Sequence, residues 1–215
     1  PKYKGLCKKG FDVISSQFSI HYYFKDELTL RTYIQNISEN IKKGGYFIGT
    51  CYDGNKIYQK LNDSENGYFE MIDEFNNKVF SIHKNYDIDD FKYSKDNIEK
   101  ILGNKIDVYM NSIGQTIPEY LVNFDYFIDI MKEYDLVLSK PDMKKDFKGY
   151  FDNPDLSYQD GLGGFELMIK HLDKLYSKDI SLKTYFPEAF GLLQEKNNLL
   201  RELSSFNNWF IFQKV

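Results

Sequence analysis

The chain has 215 residues, of which 42% are hydrophobic and 28% are charged, and this is enough for one ordinary domain with its own core. The net charge of −4 argues against a protein that coats a nucleic-acid backbone, because such domains usually carry a basic face. Recognition of a single nucleotide stays open. The two cysteines, Cys7 and Cys51, have neither a zinc-site spacing nor the density of a secreted scaffold. With no apolar run near the ~20 residues that cross a bilayer and no signal-peptide pattern, we expect a soluble intracellular protein.

The first quarter of the sequence predicts a strand, a helix and a second strand. Residues 11–18 form a short apolar run typical of a strand in a parallel sheet. Apolar positions then recur at helical spacing over residues 26–41, with Asp26 as the N-cap and the pair Gly44-Gly45 ending the helix. Residues 46–51 are the second strand. A right-handed crossover between two parallel strands is the expected connection.

The remaining sequence predicts a mixture of antiparallel strands and helices, with an irregular stretch over residues 140–163. The predicted elements are a helix over 54–61, strands over 68–72, 78–83 and 105–111, a helix over 124–134, a strand over 136–140, helices over 164–176 and 188–203, and an aromatic strand over 207–214. We therefore expect a single α/β domain over residues 1–215. Its sheet would be parallel with an antiparallel end, and a β-rich subdomain would be inserted.

Many α/β folds hold dinucleotides or S-adenosylmethionine with a glycine-rich turn that follows the first strand of the fold. No such turn is found before Phe11, where the first predicted strand of this chain begins. The run GLGG at residues 161–164 is rich in glycine but follows no predicted strand. We therefore interpret it as a loop rather than as a phosphate-binding turn.

Three separated segments resemble the mRNA cap guanine-N7 methyltransferase family, found in cellular cap methyltransferases and in the methyltransferase part of large DNA virus capping enzymes. The segments are FDVISSQFSIHYYF at residues 11–24, GGYFIGTCYDGNKI at 44–57 and IPEYLVNFDYF at 117–127, and FIFQK at 210–214 resembles the last strand more weakly. The resemblance implies the C-terminal portion of a class I S-adenosylmethionine-dependent methyltransferase, Rossmann-like, with an antiparallel last strand and an inserted β-rich cap-binding subdomain. The implied substrate is the GpppN end of mRNA, and S-adenosylmethionine is the implied methyl donor.

The same resemblance assigns roles to four side chains. It implies that Gln17 lines the S-adenosylmethionine pocket, that Tyr22 lies near the methionine part or the methyl group, that His21 faces the guanine, and that Glu119 binds the donor edge of the guanine. Guanine N7 has a free lone pair at neutral pH, so its attack on a sulfonium methyl group needs no general base. We therefore expect His21, Tyr22 and Glu119 to position the reactants rather than to act as acid or base.

The sequence departs from the family pattern at two places. Aligning FIFQK without gaps places Asn207 where the family has a tyrosine that contacts the cap, although Phe206 could fill the space. The glycine-rich motif, the acidic residue that holds the ribose and the early cap-binding lysines would all lie upstream of Phe11. We therefore expect either a piece of a longer polypeptide or a degenerate half that needs a partner. Whether upstream triphosphatase and guanylyltransferase domains or a regulatory subunit accompany it stays open.

Simpler interpretations stand beside these. His21 alone would be an ordinary core or surface histidine, and Glu119 alone would be an exposed carboxylate at a helix start after Pro118. A loop containing Lys140, Lys144, Lys145 and Lys148 could follow RNA phosphates but is more simply a solvated loop. The three histidines have no metal-ligand spacing, so no metal is expected. Two other functions stay open: a non-catalytic cap- or partner-binding module, and a methyltransferase for another base or small molecule.

Overall fold

The computed structural model describes residues 8–139, 161–181, 184, 187–191, 193, 194 and 198–215. A short 3-10 helix, Ile20–Lys25, follows the first strand. The elements in chain order are β1 Phe11–Gln17, α1 Glu27–Asn40, β2 Ile41–Tyr52, α2 Gly54–Asn62, β3 Tyr68–Ile72, β4 Lys78–Asn85, α3 Ile98–Ile101, β5 Lys105–Met110, β6 Gln115–Tyr120, α4 Phe124–Lys132, β7 Leu136–Leu138, β8 Leu162–Gly164, α5 Phe165–Lys178, α6 Pro187–Gly191, α7 Asn198–Ser205 and β9 Asn207–Lys214.

The first sheet has the order β1-β2-β9-β7, with β8 also paired to β9. β1 and β2 run parallel, and β9 runs antiparallel to β2, β7 and β8. The last strand of the chain therefore inserts between two strands that run in the opposite direction. This arrangement confirms the predicted α/β fold with a parallel start and an antiparallel last strand.

The second sheet is the predicted β-rich insertion, and it is antiparallel throughout in the order β3-β4-β5-β6. One face is apolar and buried, and its side chains include Met71, Phe80, Ile82, Ile106 and Val108. Side chains alternate between the two faces of a strand, so each strand gives every second residue to this face. The apolar face is the one that packs toward the rest of the domain.

Helix α1 forms where the sequence predicts it. Asp26 caps its N-terminus, because the Asp26 carboxylate accepts a hydrogen bond of 2.8 Å from the backbone N–H of Thr29. Leu30, Ile34 and Ile37 are buried at helical spacing against the core. The predicted end at residue 41 is one residue beyond the observed end of the helix. The helix stops at Asn40, and β2 begins at once with an irregular segment in which the partner of β1 jumps from Ile41 to Tyr46.

The interpretation of residues 161–164 as a loop is wrong. Leu162–Gly164 is strand β8, whose residues pair with Phe210, Trp209 and Asn208 of β9. Glycine is needed there because a Cβ atom on Gly163 would lie 2.6 Å from the Trp209 ring. These glycines therefore serve close packing between strands.

β7 and β8 both pair with the same edge of β9. The residues that end β7 and begin β8 both bond to Ile211 of β9. The backbone N–H of Ser139 donates to Ile211 O at 2.8 Å, and the N–H of Ile211 donates to Gly161 O at 2.7 Å.

The four lysines of the possible RNA-binding loop lie outside the described residues. The prediction of one continuous helix over 188–203 is wrong: the described residues form two helices, α6 and α7, and residues 193 and 194 between them are a turn and a bend. No helix in the described part of the chain is long and apolar enough to cross a membrane.

Candidate active site

The candidate site lies at the carboxyl edge of the parallel pair β1 and β2. β1 ends at Gln17, and Phe18, with a positive φ of 49°, turns the chain into the 3-10 helix that contains His21 and Tyr22. β2 ends at Tyr52, and Asn207 at the start of β9 pairs with it. Ligands of open α/β sheets bind outside this edge, so the predicted motif residues lie where a ligand is expected.

Glu119 reaches the site from the second sheet. It lies on β6 opposite Ile106 of β5, so its side chain projects from the apolar face of the sheet. The side chain is buried, with 7% of the residue exposed. The alternative of an exposed carboxylate at a helix start is therefore wrong. Pro118 fits because β6 is an edge strand, where a missing N–H need not break the sheet.

His21 and Glu119 form a buried polar pair. The distance between His21 Nε2 and Glu119 Oε1 is 3.6 Å, and His21 is only 3% exposed. Both ring nitrogens of His21 and the Oε2 atom of Glu119 have no hydrogen-bond partner among the described residues. Burial lowers the pKa of His21 to about 4 and raises the pKa of Glu119 to about 7. The pair is therefore a desolvated site whose hydrogen-bonding capacity is unused.

Aromatic rings surround this pair. The Tyr22 ring meets His21 edge-on with centroids 4.2 Å apart, and Tyr52 lies nearly parallel to His21 at 6.5 Å. Burial, followed by the charge of Glu119, raises the pKa of both tyrosines, so both are neutral at ordinary pH. Tyr52 is not among the residues that the sequence motifs single out. Its signal was its position as the last residue of the second parallel strand, at the edge where ligands bind.

Gln17 lies at the same edge but in a different environment. Its side chain is exposed, Gln17 Oε1 accepts a hydrogen bond of 2.7 Å from Thr50 Oγ1, and Gln17 Nε2 donates to Ser15 Oγ at 2.9 Å. Tyr22 is 41% exposed between this open region and the buried pair. The predicted residues thus gather at one edge, with Gln17 on its open side.

Asn207 is the first residue of β9, in agreement with the ungapped alignment. Its Nδ2 atom donates to Leu203 O and Ser204 O at 3.2 and 3.4 Å, which orients the amide, and its buried Oδ1 atom has no partner among the described residues. Phe206 instead packs in the core, with its ring against Phe69 and Phe80.

Together, these groups can hold a planar ring that presents hydrogen-bond donors to a carboxylate. Glu119 supplies the acceptor oxygens and His21 supplies a neutral imidazole, while Tyr22 and Tyr52 supply flat apolar surfaces. A ligand with two adjacent donors would satisfy a buried carboxylate that is otherwise costly to leave unpaired.

Comparison with known proteins connects this geometry to a family. The family model described as mRNA (guanine-N(7))-methyltransferase domain matches residues 2–162, more than half of the chain. The mRNA cap guanine-N(7) methyltransferase of Candida albicans is 31% identical over 160 residues, covering 71% of this chain and 31% of the relative. The probable mRNA-capping enzyme of Acanthamoeba polyphaga mimivirus is 35% identical over 135 residues, covering 60% of this chain and 11% of the relative.

Likeness to solved structures is weaker. The match to the CcbJ methyltransferase from Streptomyces caelestis covers 97% of this chain and 59% of that chain, with 8% identity and a TM-score of 0.45.

This chain spans only about a third of the length of the Candida albicans cap methyltransferase that it matches. The match of the family model over most of the chain shows that this protein belongs to the mRNA (guanine-N(7))-methyltransferase domain family.

Proposed function

We propose that this chain forms the guanine-binding part of an enzyme that transfers a methyl group from S-adenosylmethionine to N7 of the guanine in the GpppN cap of mRNA. The observation that carries the proposal is Glu119, a carboxylate on the apolar face of a sheet, whose Oε2 atom has no hydrogen-bond partner within the described ranges. A protein rarely buries such a group without a partner, so a ligand is the natural source of one.

Guanine fits this carboxylate better than other bases do. Its ring N1–H and its exocyclic amine are adjacent donors that can bind both carboxylate oxygens, whereas adenine presents a ring acceptor at the corresponding position. A negative charge at this edge also polarises the ring toward N7. His21 and Tyr22, on the 3-10 helix, would then contact the base from the side of the first sheet.

Methyl transfer to guanine N7 depends on how the two reactants are positioned and needs no proton transfer. N7 carries a lone pair, and S-adenosylmethionine supplies a methyl group on a positively charged sulfur, so no proton must leave before attack. Holding the two reactants in line and excluding water is the main demand. Neutral His21 and neutral Tyr22 are suited to this positioning role.

The donor would lie on the open side of the edge, beside Gln17 and Tyr22. The exposed amide of Gln17 offers polar contacts, and the half-exposed rings of Phe18 and Tyr22 offer apolar surface, so the residues present fit part of a donor pocket. This chain's contribution is to orient the methyl end of the donor toward the guanine bound at Glu119.

We also propose that residues 1–215 are the C-terminal part of the methyltransferase domain. β1 is an edge strand of the described sheet, and Val13, in its middle, is 49% exposed, as expected if a further strand and helix pack there in the longer polypeptide. Capped mRNA would be the substrate. Triphosphatase and guanylyltransferase domains of the same polypeptide, or a regulatory subunit, would be its partners in the nucleus or in a cytoplasmic viral factory.

The proposal is tested with the full-length polypeptide that contains this chain, incubated with GpppG and labelled S-adenosylmethionine. We expect label at guanine N7 in the wild type and at least a 100-fold loss of rate with Glu119→Ala, because a charged partner of the base is removed. Asp107→Ala is the matched control, since Asp107 lies on the neighbouring strand β5 but on the opposite face.

Three outcomes would contradict the proposal. Full activity of Glu119→Ala would remove Glu119 from guanine recognition, and label on another base or atom would favour a different methyltransferase. Tight binding of GpppG without any transfer would favour the non-catalytic cap-binding module.

A further inference from the structure

Tyr33 of helix α1 joins three parts of the chain around the turn that contains His21 and Tyr22. The Tyr33 hydroxyl donates a hydrogen bond of 2.9 Å to Ser16 Oγ, near the end of β1. Ser16 Oγ in turn lies 2.8 Å from Ser19 Oγ, at the start of the 3-10 helix. Because the Ser16 oxygen accepts from Tyr33, its own O–H is free to donate to Ser19.

The ring of Tyr33 holds the same turn from its other end. It stacks on Tyr23 of the 3-10 helix with centroids 3.6 Å apart and an interplanar angle of 14°. The edge of Phe47 in β2 packs on the Tyr33 ring at 6.4 Å. His21 and Tyr22 therefore lie between two points, Ser19 and Tyr23, that are both connected to one side chain of α1.

This support acts where the backbone is strained. Phe18, between the two serines, has φ of 49°, a region that side-chain-bearing residues seldom adopt. Its N–H donates to Thr50 O at 2.8 Å, which extends the β1–β2 pairing by one residue. A strained turn persists only when its surroundings determine it, and the three hydroxyl groups are part of those surroundings.

We propose that Tyr33, acting through Ser16 and Ser19, is a positioning residue that fixes the turn from Phe18 to Tyr23 and so sets the orientation of His21 and Tyr22 toward the guanine. The inference rests on the proposed function for its kinetic consequence, but not for its structural one. The proposed effect of Tyr33 is on the geometry of His21 and Tyr22, and small displacements of groups that contact a reactant cause large losses of rate.

The test substitutes Tyr33→Phe in the full-length polypeptide, with Tyr58→Phe as the matched control. Both tyrosines pack against the core, but the buried Tyr58 hydroxyl has no hydrogen-bond partner among the described residues. Two quantities are measured: amide hydrogen exchange of residues 18–24, and kcat and KM for methyl transfer to GpppG.

We expect Tyr33→Phe to speed exchange at the Phe18 and Tyr22 amides and to lower kcat/KM about tenfold. Tyr58→Phe should change neither. Ser16→Ala combined with Tyr33→Phe should be no worse than Ser16→Ala alone, because Ser16→Ala already removes the hydrogen bonds to both Tyr33 and Ser19. Additive losses in the double variant would overturn the proposal, since a general loss of stability gives additivity.

The two measurements separate this inference from the proposed function. Unchanged exchange in Tyr33→Phe overturns the positioning role whatever the enzyme does. Faster exchange without methyl transfer even in the wild type would leave the turn support standing and would count against the proposed reaction alone.

Discussion

The two sides of the candidate site are built in opposite ways. On the open side, Gln17 is exposed and both ends of its amide are already hydrogen-bonded to neighbours on the sheet. On the buried side, His21 and Glu119 are almost inaccessible, and three of their polar atoms have no partner in the part of the chain that the structure describes. The open side therefore costs the free protein little, whereas the buried side is desolvated and, under the proposed function, would gain its missing partners from a ligand.

This difference indicates where selectivity arises. A satisfied, solvated amide exchanges one set of hydrogen bonds for another when a ligand binds, so its net contribution is small. A buried carboxylate without partners gains much more from a ligand with matching donors and penalises one without them. We therefore expect base recognition to depend on Glu119 and to be little affected by Gln17.

The largest expected effect comes from Glu119→Gln. A neutral amide cannot accept two parallel hydrogen bonds from guanine, so affinity for GpppG should fall about 100-fold, equivalent to about 2.7 kcal/mol. The preference for GpppG over an adenine analogue should vanish. Isothermal titration of both analogues measures this. Retained selectivity would show that the buried side does not recognise the base.

A smaller effect is expected from pH. Because burial raises the pKa of Glu119 to about 7, the carboxylate that the proposed guanine site requires is present above that pH and lost below it. Affinity for GpppG should therefore fall about tenfold from pH 8 to pH 6. Fluorescence titration across this range gives the profile. A flat profile in the wild type would show that cap affinity does not follow the titration of Glu119. An equal slope in Glu119→Gln would assign the dependence to another group.

How far the sequence predicts this molecule differs between the two sides. Strand β1 and the Asp26 cap are local features, and the structure has them where the sequence predicts them. The environment of Glu119 could not be seen, because Gln115–Tyr120 has no apolar alternation and contains a proline. Its burial depends on pairing with β5, and strand β8 likewise depends on distant β9.

The smallest expected effect comes from Gln17→Ala. It should weaken S-adenosylmethionine binding by a few-fold, since one hydrogen bond contributes about 1 kcal/mol, and it should leave GpppG affinity unchanged. Gln35→Ala is the control, because Gln35 is an exposed glutamine of α1 whose Nε2 atom donates to nearby Glu39 within its own helix. Separate titrations of each variant with S-adenosylmethionine and with GpppG measure the two affinities. A loss of cap affinity in Gln17→Ala would mean that the two sides are coupled.

The meeting of Ser139 and Gly161 at Ile211 has a practical consequence for engineering. The two ends of the intervening segment are fixed beside each other by hydrogen bonds to β9, so its length is not set by any span it must cross. The free energy of joining two fixed chain ends changes only slowly with the number of residues between them. This junction is thus a natural position for exchanging residues 140–160 between relatives, or for inserting a reporter domain, without disturbing the strand order of the first sheet.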